Sequence, residues 1–128
     1  GITKGTGTGS VTNSRFTLTG TGVYQFLLTA IVDSASGAGE LRLWFRSAAA
    51  GNTPADIANS NTITSVSATT ETVLAVGFYY NATAINDIVE IWISGDTTNV
   101  RMRAVAAGAT PTRPAAPSIL LNINKISK

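Results

Sequence analysis

Glu90 stands two residues from Trp92 in Val89-Glu90-Ile91-Trp92-Ile93, and a carboxylate beside an indole is what a glycoside hydrolase would use. That chemistry needs a second carboxyl roughly 5–9 Å away on the same sugar-binding face. Glu40, Glu71, Asp87 and Asp96 are the available partners, and none shares the strand face of Glu90 at short spacing. Glu90 therefore reads as a solvated or ion-paired strand residue. Gly5-Thr6-Gly7-Thr8-Gly9 has the glycine spacing of a phosphate-cradling loop, but such a loop follows a strand and opens a helix. Here Ser10-Val11-Thr12-Asn13 follows and no strand precedes, so the segment reads as a flexible arm or an extended edge strand. Arg101 and Arg103 share a strand face and suit either phosphate or nearby Asp and Glu, the second being the commoner arrangement. Asp33, Asp56, Asp87 and Asp96 are too scattered for a calcium loop. Asn81-Ala82-Thr83 is a glycosylation acceptor only in a eukaryotic secretory setting.

The chain has no Cys and no His, which removes Ser-His and Cys-His catalytic pairs, thiolate-imidazole zinc sites and disulfides. No enzyme activity and no cofactor are expected. Only 12% of the 128 residues are charged, and 19 Thr, 11 Ser and 9 Asn supply the polarity instead. A formal charge of +2, from nine basic and seven acidic groups, argues against a nucleic-acid protein, which would carry a dense basic face. No apolar run reaches the ~18 residues of a membrane span, and the start lacks a signal-peptide pattern. Gly1 in place of Met points to trimming or to a fragment. A charge-poor, near-neutral chain tends to associate, so part of its surface is expected to be covered by other copies.

Residues of these types need strands to position them. Leu41, Leu43 and Phe45 alternate strictly with Arg42, Trp44 and Arg46, the pattern of a half-buried strand. Val89-Glu90-Ile91-Trp92-Ile93 and Val100-Arg101-Met102-Arg103-Ala104 repeat it. Val23 to Val32, Val73 to Tyr80 and Ile119 to Ile126 are apolar on both faces and need cover on both. Turn signals recur at Gly20-Thr21-Gly22, Ser36-Gly37-Ala38-Gly39, Gly51-Asn52, Asn86-Asp87, Ser94-Gly95-Asp96 and Pro111 to Pro117. Short strands at such spacing predict an all-β antiparallel sandwich or barrel. One helical turn starting at Thr53-Pro54, or an irregular loop, fits the segment through Asp56. Residues 1–15 are a candidate Gly/Thr-rich arm, with Gly5, Thr6, Gly7, Thr8 and Gly9 as its docking segment, and residues 16–128 form one packed domain.

Trp44 lies between Arg42 and Arg46, and Trp92 beside Glu90, both on strand faces opposite the aliphatic set. An outward indole is costly to leave wet. Cover by a loop of the same chain, a contact between subunits, and a sugar-stacking platform are the three readings.

Phe16-Thr17-Leu18-Thr19 leads to Gly22-Val23-Tyr24-Gln25-Phe26; Thr72-Val73-Leu74-Ala75-Val76 precedes Asn86-Asp87-Ile88-Val89-Glu90-Ile91-Trp92; and Pro117-Ser118-Ile119-Leu120-Leu121-Asn122-Ile123 comes last. This order resembles the tumour-necrosis-factor and complement-globular-head superfamily, and the Thr-rich style resembles its phage members. Asn86 stands where that family carries Gly, and Asn tolerates the same left-handed turn. The resemblance implies a jelly-roll β-sandwich of about ten strands in a homotrimer, with no catalytic residues. Tyr79 is then the expected subunit-interface residue, with Trp44 and Trp92 as further candidates, while Phe78 and Tyr24 share faces with core aliphatics. The expected function is a capsid decoration or cement protein on the virion surface, contacting the major capsid protein or another virion protein. The alternative is the receptor- or glycan-binding knob of a tail fibre, tail needle or head fibre. Arg42, Arg46, Asn52, Asn81 and Asn99 are candidates for surface recognition of a host glycan or protein. Neither nucleic acid nor membrane insertion is expected.

Overall fold

Side chains that alternate along the sequence fall on opposite sides of extended strands, and two sets of such strands bury their apolar sides against each other. The structure, a computed structural model, describes residues 2–6 and 13–127, with side chains over 15–127. The strands are β1 (Ile2–Thr6), β2 (Asn13–Leu18), β3 (Gly22–Ser34), β4 (Gly39–Ala48), β5 (Ala55–Asp56), β6 (Thr62–Val66), β7 (Thr72–Ala82), β8 (Asp87–Gly95), β9 (Val100–Met102), β10 (Gly108–Ala109), β11 (Thr112–Arg113) and β12 (Ile119–Lys125). The described residues contain no helix.

One sheet runs β1-β2-β8-β4, and the far edge of β4 pairs first with β6 and then with β5. The second runs β12-β3-β7, with β9 continuing along β3 where β12 stops. Every strand pair is antiparallel. The inward set is Phe16 and Leu18 of β2, Tyr24 to Val32 at every second position of β3, Leu41, Leu43 and Phe45 of β4, Leu74 of β7, and Val89 and Ile91 of β8. Phe26 of the second sheet meets Phe45 of the first with ring centroids 6.0 Å apart, and Phe45 stacks on Phe78 at 4.2 Å. The two sheets thus pack face to face as a sandwich. Each large side chain buried this way contributes about 1.5–3 kcal/mol.

The turns follow their residues. Asn86 has φ of 64°, the left-handed conformation expected for it, and it delivers Asp87 to the start of β8. Asp87 is buried and accepts hydrogen bonds from the Thr83 and Ala84 N–H groups at 3.0 and 3.4 Å, tying off the β7–β8 turn. Burial pushes the Tyr80 hydroxyl above its ordinary value, and the Asp87 charge adds to the rise. The segment after Thr53-Pro54 differs from a helical turn: Ala55 and Asp56 pair with Ser47 and Arg46. The Asp56 carboxylate is drawn there by Arg46 and by the Trp44 indole.

Candidate functional site

The outer faces of the two sheets differ in kind. On the first sheet, register sets Arg15, Glu90, Arg46 and Asp56 side by side across β2, β8, β4 and β5. Charges alternate along this row. Arg15 donates to Glu90 Oε1 from Nε at 2.8 Å and from Nη2 at 2.6 Å. Arg46 Nη1 lies 3.8 Å from Glu90 Oε2 and its Nε 3.1 Å from Asp56 Oδ1, the latter a charge contact without hydrogen-bond alignment. Arg46 also donates to the Pro54 carbonyl. Glu90 is buried beneath these partners, and the Trp92 indole N–H donates to its other oxygen at 2.8 Å. Both Glu90 oxygens are therefore occupied by cations and an indole, which is the ion-paired reading of that residue.

Register places Trp44 directly opposite Trp92 in the next row. Their rings lie 6.0 Å apart at 38°, the Arg46 guanidinium sits 4.6 Å over the Trp92 ring, and Trp44 Nε1–H donates to Asp56 Oδ1 at 3.0 Å. The charged row and the indole pair thus brace one another.

The second sheet presents a different surface. The outward positions are Val23, Gln25, Leu27, Thr29 and Ile31 of β3, Val73 to Asn81 at every second position of β7, and Leu120, Asn122 and Asn124 of β12. None is Asp, Glu, Lys or Arg. Val73, Leu120 and Tyr79 are 67%, 60% and 59% exposed. Small residues at Ala75 and Gly77, set beside Leu27, Leu120 and Asn122, leave a groove of about 780 Å³. Charge appears only where β3 ends. There Asp33, fully buried, accepts from Arg101 Nε at 2.7 Å and Nη2 at 3.2 Å and from Arg103 Nη1 at 3.1 Å. The Arg101 hydrogen bond, foremost, holds the Asp33 carboxyl below its ordinary value of 3.8, against the opposing effect of burial. Both arginines are thus claimed by a carboxylate of their own chain.

The residues singled out in the sequence are dispersed by the fold. Tyr79 lies on the outer face of the second sheet, where Gln25 Nε2 donates to its hydroxyl at 2.8 Å. Trp44, Trp92, Arg42 and Arg46 lie on the outer face of the first. Tyr79 and the two tryptophans thus lie on opposite layers of the sandwich. Phe78 and Tyr24 pack inward. Asn81 is outward on β7, while Asn52 and Asn99 occupy turns near opposite ends of β4. Gly5 and Thr6 belong to β1, opposite Arg15 and Ser14; Gly7, Thr8 and Gly9 fall outside the described residues. Asp33 and Asp56 escaped the sequence reading because their partners come from other strands. Among the described residues no three His, Cys, Asp or Glu side chains group as metal ligands would. Among the described residues no helix is long and apolar enough to cross a membrane. No protein-family model, curated protein or solved structure matches the chain.

Proposed function

We propose that this chain is a non-enzymatic structural protein, a jelly-roll sandwich that assembles as a homotrimer on the surface of a phage particle and decorates or cements the capsid. The observation that carries the reading is the outer face of the β12-β3-β7 sheet. It combines exposed Leu27, Val73, Leu120 and Tyr79 with a complete lack of Asp, Glu, Lys and Arg between Val23 and Ile31 and across the paired positions of β7 and β12. Protein interfaces are depleted in charge at their centres and enriched in tyrosine. The strand order supports the jelly roll. The pairs β4–β6, β3–β7 and β2–β8 nest one inside the next, as in a long two-stranded ribbon rolled over on itself, and β12 closes against β3. The phage setting rests on the resemblance of the Thr-rich style to the phage members of that superfamily.

Light scattering of the purified protein tests the assembly. A homotrimer has three times the 13.2 kDa of one chain. A stable monomer at micromolar concentration overturns it. Antibody labelling of intact particles tests the location, with label on the capsid surface as the expected result and label confined to a tail structure as the result that replaces decoration by attachment.

A further inference from the structure

The edge of β4 is handed from β6, which pairs as far as Leu43, to β5, which begins at Arg46. Trp44 stands at the break, and a cleft of about 280 Å³ opens there. It is lined by Arg42, Trp44, Asp56, Ile57, Asn59 and Asn61. We infer that this cleft binds one neutral pyranose ring of a glycan, gluco- or galacto-configured, stacked on Trp44 and held through its hydroxyls by Asn59, Asn61 and Arg42.

Four observations carry this. The Trp44 ring is fixed before any ligand arrives, by its hydrogen bond to Asp56 and by Trp92 beside it. A fixed aromatic surface binds without losing rotamer freedom. The electron-rich face of an indole suits the C–H face of a pyranose whose hydroxyls are mostly equatorial. The side-chain amides of Asn59 and Asn61 are exposed and make no hydrogen bond among the described residues, so their donors and acceptors are open to vicinal hydroxyls. The segment bearing them is pinned. Ile57 N–H donates to the Phe45 carbonyl at 2.9 Å, the Ser60 hydroxyl accepts from Phe45 N–H at 3.0 Å, and Asn59 is held at φ of 60°. Finally, the charges of this face cancel. Arg15, Arg42 and Arg46 are matched by Glu90, Glu40 and Asp56, leaving no net attraction for an anion. The volume lies just below the roughly 300–1,000 Å³ of pockets for drug-sized ligands, which fits a ligand of one or two rings. The cleft lies on the layer opposite the uncharged face, so assembly through that face leaves it open to solvent. The inference goes beyond the structural role and stands without it.

Both tryptophans of the chain lie on this face, so indole fluorescence reads it directly. Titration of the purified protein with maltohexaose, cellohexaose and a β-linked galacto-oligosaccharide is expected to give a saturable change with at least one, half-complete on the order of 1 mM. The midpoint is expected to be the same at low and high salt. Asn59→Gly, which tolerates the left-handed backbone, combined with Asn61→Ala is expected to weaken binding about tenfold at an unchanged melting temperature. No response to any of the three neutral sugars overturns the inference. So does a response confined to dextran sulfate and abolished by salt, or one that the double variant leaves intact. Tyr79→Glu, on the opposite layer, is expected to leave the titration unchanged whatever it does to assembly, so failure of either reading is seen separately.

Discussion

Of the buried carboxylates Asp33, Asp87 and Glu90, the first and last are claimed by arginines, and their behaviour on losing charge is predictable. Asp33 has its carboxyl held below 3.8, first by Arg101. As the pH falls, the unfolded chain therefore takes up its proton before the native one does. The resulting stabilisation is whole at neutral pH, begins to shrink near about pH 4 and is gone below the native value. Urea midpoints measured at descending pH are expected to show the native protein losing its advantage over Asp33→Asn below about pH 4. A constant difference between the two would contradict the Arg101 pairing. Glu90 is set between Arg15 and Arg46 with the Trp92 N–H on its second oxygen. Glu90→Gln keeps the shape and removes the charge, and it is expected to cost about 2 kcal/mol, the worth of hydrogen bonds to a charged group. The same substitution is expected to change the Trp92 emission, because its indole donates to that carboxylate.

At the level of strands, Gly22 opens β3 with φ of 126°, and an added Cβ would lie 2.2 Å from the Ser127 carbonyl oxygen. Gly22→Ala is expected to lower the melting temperature by several degrees, since backbone and contact are both violated and about 1 kcal/mol moves a domain of this size by roughly 4 °C. An unchanged melting temperature would mean that β3 does not start in this register. Strands of this kind are legible in the sequence wherever one face is aliphatic over five or more residues. Leu41-Leu43-Phe45 against Arg42-Trp44-Arg46, and the inward run from Tyr24 to Val32, lie where alternation puts them. Ala55–Asp56 is too short to show a period, and its pairing is decided by Arg46 and Trp44 across the sheet edge. Asp33 reads in the sequence only as one of several scattered aspartates, and its burial depends on Arg101, which lies 68 residues away in sequence. Glu90 shows the same limit: its alternation puts it outward, yet Arg15, 75 residues away, covers it. The Trp44 cleft was half legible, since the indole and Arg42 stand out in the sequence while Asn59 and Asn61 acquire meaning only from the break between β6 and β5.

Over the whole molecule the sandwich divides its labour between an uncharged layer and a charge-balanced one. Leu27 is 44% exposed on the uncharged layer, so placing a charge there strains nothing inside one chain. Leu27→Asp is expected to leave the monomer's unfolding free energy within about 0.5 kcal/mol of the parent chain's and to convert a trimer to monomers in light scattering, because three copies would each bury an unpaired carboxylate. A trimer that survives both Leu27→Asp and Tyr79→Glu would be assembled through some other surface. The pairing order also sets when the protein becomes itself. β3, laid down early, takes β12 along one edge through Tyr24↔Lys125 to Ala30↔Ile119, while β2 waits for β8 through Arg15↔Glu90. Sheets closed by segments so remote in sequence form slowly, on the order of milliseconds to seconds. A ribosome has therefore to deliver β12 before the second layer is complete, and until then the inward row from Tyr24 to Val32 lacks its neighbour. A nascent chain halted before Ile119 leaves this edge of β3 unpaired from Tyr24 to Ala30.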